Sequence, residues 1–306
     1  MIIRAENLTK KYANITAVNK VSLTVDRGEL IGIIGPDGAG KTTFLRMLAG
    51  VLEPDTGTIT IDGKTFGKNR RELKETIGYL SQINQVYGDL TVWENIEFFG
   101  KIHSVQNWRQ RGEELLRFAR LGDFKNRLAD QLSGGMRQKL GICCAVIHRP
   151  AILILDEPTT GVDPISRREL WLMLSAFIKQ GITILVATPY LNEAERCSRV
   201  AMFHHGHLLR YDTVDALKKT LPMNVFEITS SDLRRTFDLV NSFTFVREST
   251  VMGDRITFVI DTHGKGDVNV VIEAVRRNID RDARVKPMEP TLDNIFATLI
   301  KDRKEI

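Results

Sequence analysis

Residues 35–42 have residue types and a spacing that suit phosphate binding. The stretch reads GPDGAGKT, follows the apolar run LIGII and precedes the helix-like run TFLRMLAG. Glycine-rich backbone leading into a helix presents N–H groups to an anion, while a lysine reaches the terminal phosphates and a hydroxyl can hold Mg²⁺. A plain glycine-rich turn is the alternative. We predict that the nucleotide phosphates are bound by Gly35, Pro36, Asp37, Gly38, Ala39, Gly40, Lys41, Thr42 and Thr43.

Two carboxylates follow another apolar run, where AILIL precedes Asp156 and Glu157. We predict that Asp156 and Thr42 hold Mg²⁺, directly or through water, and that Glu157 polarises the attacking water. Phosphoryl transfer depends mainly on positioning and electrostatics, so a metal-holding acid beside a water-orienting acid is sufficient. A surface turn is the alternative for two acids taken alone, and the glycine-rich loop argues against it.

A second glycine-rich stretch, LSGGMRQ, begins at Leu132. Ser133, Gly134 and Gly135 can form another N–H-rich anion site at a helix start. One bound nucleotide does not need two such sites far apart in the chain. We therefore predict that this stretch closes on a nucleotide held by another subunit.

The motifs GPDGAGKT, LSGGMRQ and LILDEP, in this order, closely resemble those of the ATPase subunits of ATP-binding cassette (ABC) transporters, over about residues 1–220. The resemblance implies that Tyr12 stacks on adenine. It also implies that Gln82 acts in catalysis and belongs to the Mg²⁺ site with Thr42 and Asp156, sensing the metal and the membrane partner. It also implies that Glu157 is the catalytic base and that residues 161–163 contact the opposite subunit. A packed aromatic and an exposed polar residue are the alternatives for Tyr12 and Gln82.

The sequence departs from this family at two positions. Asp37 stands where the family usually has Asn, and Pro189 stands where it has the switch histidine of a Thr-His or Ser-His pair. Proline has no side-chain donor and no N–H, but it suits the first position of a helix capped by Thr188. Losing one transition-state donor commonly slows catalysis about 10²–10³-fold. We expect weak hydrolysis with ATP binding retained.

The elements that must position these residues alternate between strands and helices, which predicts an α/β fold. We expect a P-loop NTPase cassette with a mixed sheet core, an antiparallel β subdomain and an inserted helical subdomain at about 91–145. Strand-like runs occur at Ile2–Leu8, Val21–Val25, Leu30–Ile34, Thr58–Ile61, Ile152–Leu155, Thr183–Ala187 and Val200–Phe203.

A linker at about 221–224 separates the cassette, 1–220, from a second domain, 225–306. Its predicted order of strands and helices is that of a small α+β ferredoxin-like domain. The predicted elements are strands at Val225–Thr229, Phe243–Glu248, Ile256–Asp261 and Arg284–Met288, and helices at Asp232–Asn241, Val268–Asn278 and Leu292–Lys301. The domain resembles the accessory domain that follows the cassette in many drug- and lipid-type exporter ATPases.

The composition is typical of a globular protein, with 42% hydrophobic and 26% charged residues among 306. No apolar run approaches the roughly 18 residues of a membrane span, and the N-terminus lacks a hydrophobic signal core. The net charge of +5 suits an anionic surface or a solvated basic face. We expect Cys143, Cys144 and Cys197 to be reduced and mostly buried. We interpret the histidines at 204–207 as a hairpin turn, with a metal site as the alternative.

Together these features predict the ATP-binding subunit of an ABC exporter, cytoplasmic and peripheral on the inner face of the membrane. It would bind MgATP in a head-to-tail dimer with a second cassette, an identical chain or, as Pro189 favours, one with an intact switch histidine. That dimer would power a separate integral membrane permease, and no nucleic acid is expected. The alternatives are a soluble ABC ATPase acting on ribosomes or nucleic acid, and a non-hydrolytic ATP-dependent clamp.

Overall fold

The computed structural model describes residues 1–83, 86–220, 223–261 and 266–304. The chain divides into two compact units, Met1–Asp212 and Thr213–Ile306. The strands that begin in the first unit are β1 Ile3–Tyr12, β2 Ile15–Val25, β3 Leu30–Ile34, β4 Thr56–Ile61, β5 Lys64–Thr65, β6 Ile77–Leu80, β7 Ile152–Asp156, β8 Thr183–Thr188, β9 Arg199–His204 and β10 His207–Thr213. Its α-helices are α1 Lys41–Leu48, α2 Phe66–Thr76, α3 Val92–Ile102, α4 Trp108–Phe118, α5 Gly134–Val146, α6 Pro164–Lys179 and α7 Leu191–Ala194.

The central sheet has the strand order β10-β9-β3-β8-β7-β6. Strand β3 pairs in parallel with β8 and β9, and β7 pairs in parallel with β6 and β8. Every residue of β3, β7 and β8 is buried, as expected for continuous apolar runs in a parallel sheet covered on both faces. The carboxyl ends of these strands share one edge, which is where ligands bind in α/β sheets.

A second sheet, with the order β2-β1-β4-β5, is antiparallel. Strands β1 and β2 are longer than predicted because their pairing continues to Tyr12 and Ile15, around a turn in which Ala13 has φ 48°. Buried residues of this sheet share one hydrophobic core with α1, β3 and β7. That core fixes the start of α1 relative to the ends of the central strands.

The predicted helical block is confirmed as helices α3, α4 and α5. Thr91 begins α3 with a capping box, in which its hydroxyl accepts from the Glu94 N–H and the Glu94 carboxylate accepts from the Thr91 N–H. Helix α2 and strand β6, which precede this block, were not predicted. Strand β6 has only four residues, IGYL, too few to show a clear periodicity.

The predicted helix start at Pro189, capped by Thr188, is wrong. Thr188 is the last residue of β8 and is fully buried, while α7 begins at Leu191 with Tyr190 at its N-cap. The Thr188 hydroxyl accepts from the Tyr190 N–H at 3.1 Å and donates to the Glu193 carboxylate at 2.8 Å. The residue before a proline favours extended backbone, which agrees with Thr188 remaining in β8. The helix therefore begins only after Pro189 and Tyr190.

The second unit contains α8 Val214–Thr220, β11 Met223–Thr229, α9 Leu233–Asn241, β12 Val246–Met252, β13 Arg255–Asp261, α10 Val268–Asn278, β14 Arg284–Met288 and α11 Leu292–Lys304. Its sheet is antiparallel with the order β12-β13-β11-β14, which gives the predicted ferredoxin-like arrangement. Helices α9 and α10 cover the face that carries Ile228, Ile256 and Phe258.

Several boundaries in this unit differ from the prediction. The predicted linker at 221–224 overlaps β11, which begins at Met223, and residues 221–222 lie outside the described residues. Two other differences have a visible cause. Helix α8 packs against α11, so the unit begins at Thr213 rather than at residue 225. Strand β12 begins at Val246 rather than Phe243, because the Val246 N–H donates to the Phe243 carbonyl and closes a turn after α9. Both boundaries depend on contacts that local sequence patterns do not encode.

Three expectations from composition can be compared with the structure directly. Cys143, Cys144 and Cys197 are free thiols and buried. His205 and Gly206 form the two-residue turn between β9 and β10, both with positive φ, so the predicted hairpin is confirmed. Among the described helices, none has the length and apolar character needed to cross a bilayer.

Candidate functional site

The carboxyl edge of the central sheet borders a cleft of about 620 Å³. Residues from distant parts of the chain meet there: the glycine-rich loop after β3, the segment after β6, Glu157 after β7 and the segment after β8. The cleft is lined by Tyr12, Ala17, Asp37, Gly38, Ala39, Gly40, Lys41, Thr42, Thr43, Gln82, Glu157, Thr160, Pro189 and Tyr190. A volume of several hundred Å³ is usual for a small-molecule site.

The glycine-rich loop leads directly into the N-terminus of α1. Gly40 occupies the N-cap with φ 100° and has no room for a side chain, since a Cβ there would lie 2.2 Å from the Ala17 carbonyl oxygen. Lys41 is 4% exposed, and its Nζ donates to the carbonyl oxygens of Gly35 at 2.8 Å and Pro36 at 3.1 Å. The loop and helix therefore offer backbone N–H groups and a held ammonium to an anion.

Thr42 lines the cleft and contacts the fully buried Asp156, and together the two side chains offer oxygen atoms that fit a divalent cation. The Thr42 hydroxyl donates to Asp156 Oδ1 at 3.0 Å, while Asp156 Oδ2 is buried without a hydrogen-bond partner. Burial raises the pKa of Asp156, and the neighbouring Glu157 carboxylate raises it further, against the Thr42 hydrogen bond. An unpartnered carboxylate oxygen beside a hydroxyl is an oxygen donor set that Mg²⁺ accepts.

Glu157 lies at the centre of the polar contacts in the cleft. Its backbone has φ 53° and its N–H donates to the Ala187 carbonyl, which ties the end of β7 to β8. The carboxylate accepts from Gln82 Nε2 at 3.0 Å and from the Thr160 hydroxyl at 3.2 Å, and Lys41 Nζ lies 3.6 Å away. A left-handed backbone at a non-glycine residue is costly and is often found at functional sites.

Ser133, Gly134 and Gly135 do not line this cleft. Ser133 is exposed at the N-cap of α5, and its hydroxyl accepts from the Met136 N–H at 3.3 Å. Gly134 borders a separate cleft of about 640 Å³ with Gly161 and Val162, and Gln82 and Thr160 line both clefts. Within one chain, the second glycine-rich stretch is therefore apart from the first, as expected if it serves another subunit.

Residues 161–163 connect the segment that follows Glu157 to α6. Gly161 has φ 72°, and Asp163 caps α6 by accepting from the N–H groups of Ile165 at 3.1 Å and Ser166 at 2.9 Å. The Ser166 hydrogen bond lowers the pKa of Asp163 below its ordinary value. Asp163 is thus an ionised helix cap, a structural role beside its implied contact with a second subunit.

Pro189 and Tyr190, which follow β8, border the same cleft as the glycine-rich loop. Its position is fixed by the buried Glu193, whose Oε2 accepts from the hydroxyls of Thr188 and Thr159, each at 2.8 Å. Through these bonds α7 holds the segment after β7 and the segment after β8 together. Pro189, where the resemblance predicts a histidine, therefore borders the same cleft as Glu157.

Sequence reasoning missed three residues that line the cleft. Thr160 donates to the Glu157 carboxylate, Tyr190 lies beneath the Arg167 guanidinium at 4.6 Å from its ring centroid, and Ala17 faces the loop from β2. The sequence offered a signal only for Thr160, a hydroxyl three residues after Glu157. The other two depend on packing between distant segments.

Comparisons with known proteins agree with this geometry. A sequence model of the ABC transporter family matches residues 18–160. The chain is 43% identical over 233 residues to "Probable multidrug ABC transporter ATP-binding protein YbhF" of Escherichia coli (strain K12), covering 75% of this chain. It is 33% identical over 309 residues to "Daunorubicin resistance ATP-binding protein DrrA2" of Streptomyces coeruleorubidus, covering 99% of this chain and 96% of that protein.

A solved structure is similar over about two thirds of this chain. "Dimeric structure of a post-hydrolysis state of the ATP-binding cassette MJ0796 bound to ADP and Pi" superposes with a TM-score of 0.64 at 29% identity, covering 69% of this chain and 98% of that chain. The match to the Escherichia coli relative spans only 40% of that protein's length.

Proposed function

This chain belongs to the ATP-binding proteins of ABC transporters, and from that premise we propose that it is the weakly hydrolysing ATP-binding subunit of an exporter. In this proposal it binds MgATP in the cleft at the carboxyl edge of the central sheet and pairs head-to-tail with a second cassette. It works at the inner face of the membrane, where the pair drives a separate permease. Similarity to proteins named for multidrug and daunorubicin resistance supports export as the direction.

The observation that supports the proposal is that the glycine-rich loop and Glu157 line one cleft, with the buried Asp156 joined to that cleft through Thr42. Lys41 bonds to loop carbonyls and lies near Glu157, so ATP phosphates would draw its ammonium toward the ligand. Asp156 and Thr42 would hold Mg²⁺, which neutralises phosphate charge when bound. Glu157 accepts from Gln82 and Thr160, which would orient it toward the attacking water.

Weak hydrolysis follows from Pro189. The side chain at this position borders the cleft, where a histidine could donate to the transferred phosphate. Proline offers no donor, and losing one positioned donor costs about 2.7–4 kcal/mol of transition-state stabilisation. The residues proposed to bind ATP are unaffected. The proposal is therefore a chain that binds nucleotide normally and turns it over slowly.

Pairing with a second cassette is supported by the position of Ser133, Gly134 and Gly135. Ser133 and Gly134 are exposed at the start of α5, Gly135 is buried beside them, and all three lie outside the cleft of their own chain. The helix N-terminus would meet phosphates held by the partner cassette. This chain would thereby complete the partner's site while its own site turns over slowly. A partner with an intact switch histidine would supply most of the hydrolysis.

Nucleotide binding is tested by titrating ATP with Mg²⁺ into the purified chain and into Lys41→Ala. We expect Lys41→Ala to weaken binding at least about tenfold, since a hydrogen bond to a charged group contributes about 1.5–3 kcal/mol. Lys179→Ala is the matched control, because Lys179 is exposed on α6 and does not line the cleft. Equal affinity of the wild type and Lys41→Ala would overturn the site assignment.

Assembly is tested with Glu157→Gln, which removes the proposed base and should preserve the ATP-bound pair. Mixed with the partner cassette and saturating ATP, this variant should elute as a dimer, and adding Ser133→Arg should return it to monomers. Ser104→Arg is the control, since Ser104 lies in the turn after α3. A monomeric Glu157→Gln chain under these conditions, with ATP binding intact, would argue against the head-to-tail pair.

A further inference from the structure

The second unit contains a cleft of about 620 Å³ that nothing in the proposed ATPase cycle uses. Four cationic side chains line it, from β13, α10 and β14, together with one carboxylate and two uncharged residues. We call it the basic cleft, and its lining is Glu227, Thr229, Arg255, Arg276, Arg284, Val285 and Lys286. All of these residues belong to the second unit.

Strand register explains why the basic residues of β14 lie on one face of the sheet, whereas Arg276 comes from α10, which covers the other face. Along β11, Ile228 points into the core beneath the helices, so its neighbours Glu227 and Thr229 lie on the opposite face. Lys286 pairs with Glu227 across the sheet, and Arg284 pairs with Thr229, so both basic residues share that face. The β14 sequence RVKPM alternates basic and apolar residues as this arrangement requires.

A buried carboxylate anchors two of the four cations. Glu227 is 5% exposed, and its two oxygens lie 3.1 Å from Arg255 NH1 and 3.0 Å from Lys286 Nζ. Arg255 also donates from Nε to Asp254 at 2.9 Å. The carboxylate therefore attracts a guanidinium and an ammonium to the cleft wall.

The positive charges of the other two cations, Arg276 and Arg284, are not balanced by a neighbouring carboxylate among the described residues. Arg276 donates from Nε to the Ala283 carbonyl at 3.2 Å, and within the described part of the chain neither Arg276 nor Arg284 has a carboxylate at ion-pair distance. Basic and acidic residues are equal in number over 213–306, so this excess is local rather than general. Clefts lined by one sign of charge attract oppositely charged ligands.

We propose that the basic cleft binds an anion bearing at least two phosphoryl groups. Guanidinium groups match phosphate oxygens in a two-pronged geometry. Four cations and the Glu227 carboxylate leave the lining with a net charge of +3, which exceeds the charge of about −2 on one phosphate. The volume is in the usual range for a small-molecule site. Such phosphates are found on soluble di- and triphosphates and on anionic lipid headgroups. This inference does not rest on the proposed ATPase function.

The test uses the full chain carrying Lys41→Ala, so that the glycine-rich loop of the first unit contributes little phosphate binding. Inorganic pyrophosphate is titrated into this chain and into the same chain with Arg276→Ala and Arg284→Ala added. We expect saturable binding that the added pair weakens at least about tenfold. Arg277→Ala with Arg281→Ala is the matched control, since both arginines are exposed nearby but do not line the cleft. This control should change the affinity less than about twofold.

A second arm distinguishes the source of the phosphates. The same three chains are floated with phosphatidylcholine vesicles, with and without cardiolipin, whose headgroup carries two phosphates. Binding of vesicles that the Arg276 and Arg284 substitutions abolish, with no binding of pyrophosphate, assigns the cleft to a lipid surface; the reverse assigns it to a soluble ligand. The proposal is overturned if neither probe binds, or if the control pair weakens binding as much as the cleft pair. Melting curves verify that every variant is folded.

Discussion

Replacing Glu193 by alanine should destabilise the first unit strongly, because this buried side chain joins the segments on either side of the cleft. Its Oε2 accepts from two hydroxyls at 2.8 Å, and both of their residues, Thr159 and Thr188, are at most 1% exposed. Leaving each hydroxyl without an acceptor costs about 1–3 kcal/mol. Relief from burying the carboxylate offsets part of this, so we expect a net loss of about 2–4 kcal/mol.

The measurement is thermal unfolding of the first unit, where this loss corresponds to a melting temperature about 5–15 °C lower. A double-mutant cycle with Thr188→Val is the control. If the hydroxyl and the carboxylate act together, the double variant should be more stable than the sum of the single effects predicts, by about 0.5–3 kcal/mol. A loss below about 1 kcal/mol for Glu193→Ala, or strictly additive effects, would refute the reasoning.

Two further predictions concern the helical block. Burial and the stacked His103 ring lower the pKa of His148 from 6.5 to about 4. Between these two pH values, His148 is therefore protonated in the unfolded chain and neutral in the folded chain. The free energy of unfolding should therefore fall by roughly 2–3 kcal/mol between pH 6.5 and 4, and His148→Gln should remove that part of the decline in urea titrations. Gly135→Ala should cost about 1–3 kcal/mol, since its Cβ would lie 2.3 Å from the Ser166 Cβ. Gly134→Ala, with only a carbonyl oxygen at 3.6 Å, should be close to neutral in the same titrations; equal costs at the two glycines would contradict this.

The cleft at the carboxyl edge of the central sheet could be predicted largely from sequence, because phosphate-binding motifs require particular residues in a fixed local order. The GPDGAGKT loop and the Asp156-Glu157 pair each follow an apolar strand, and parallel strands bring their carboxyl ends to one edge. Their meeting in one cleft is therefore a consequence of topology. The roles of these residues in binding and hydrolysis stay predictions.

Features set by contacts between distant segments could not be predicted. The start of α7 depends on Thr188 and Glu193 sharing a buried network with Thr159, a residue in a different segment. Local pattern instead favoured a helix beginning at Pro189, since proline suits a first helical position. In the same way, the second unit begins at Thr213 because α8 packs on α11, a contact between distant segments that the local sequence does not indicate.

The central claim is that Pro189 limits hydrolysis without impairing ATP binding, and steady-state ATPase activity tests it most directly. Wild type, Pro189→His and Pro189→Ala are compared with ATP and Mg²⁺ at saturation. Because α7 begins at Leu191, the histidine should be accommodated without losing a helix start. We predict low turnover for wild type and Pro189→Ala, and at least about tenfold higher turnover for Pro189→His. Unaided wild-type turnover of about 1–10 s⁻¹, or an equal gain with alanine, would contradict the account.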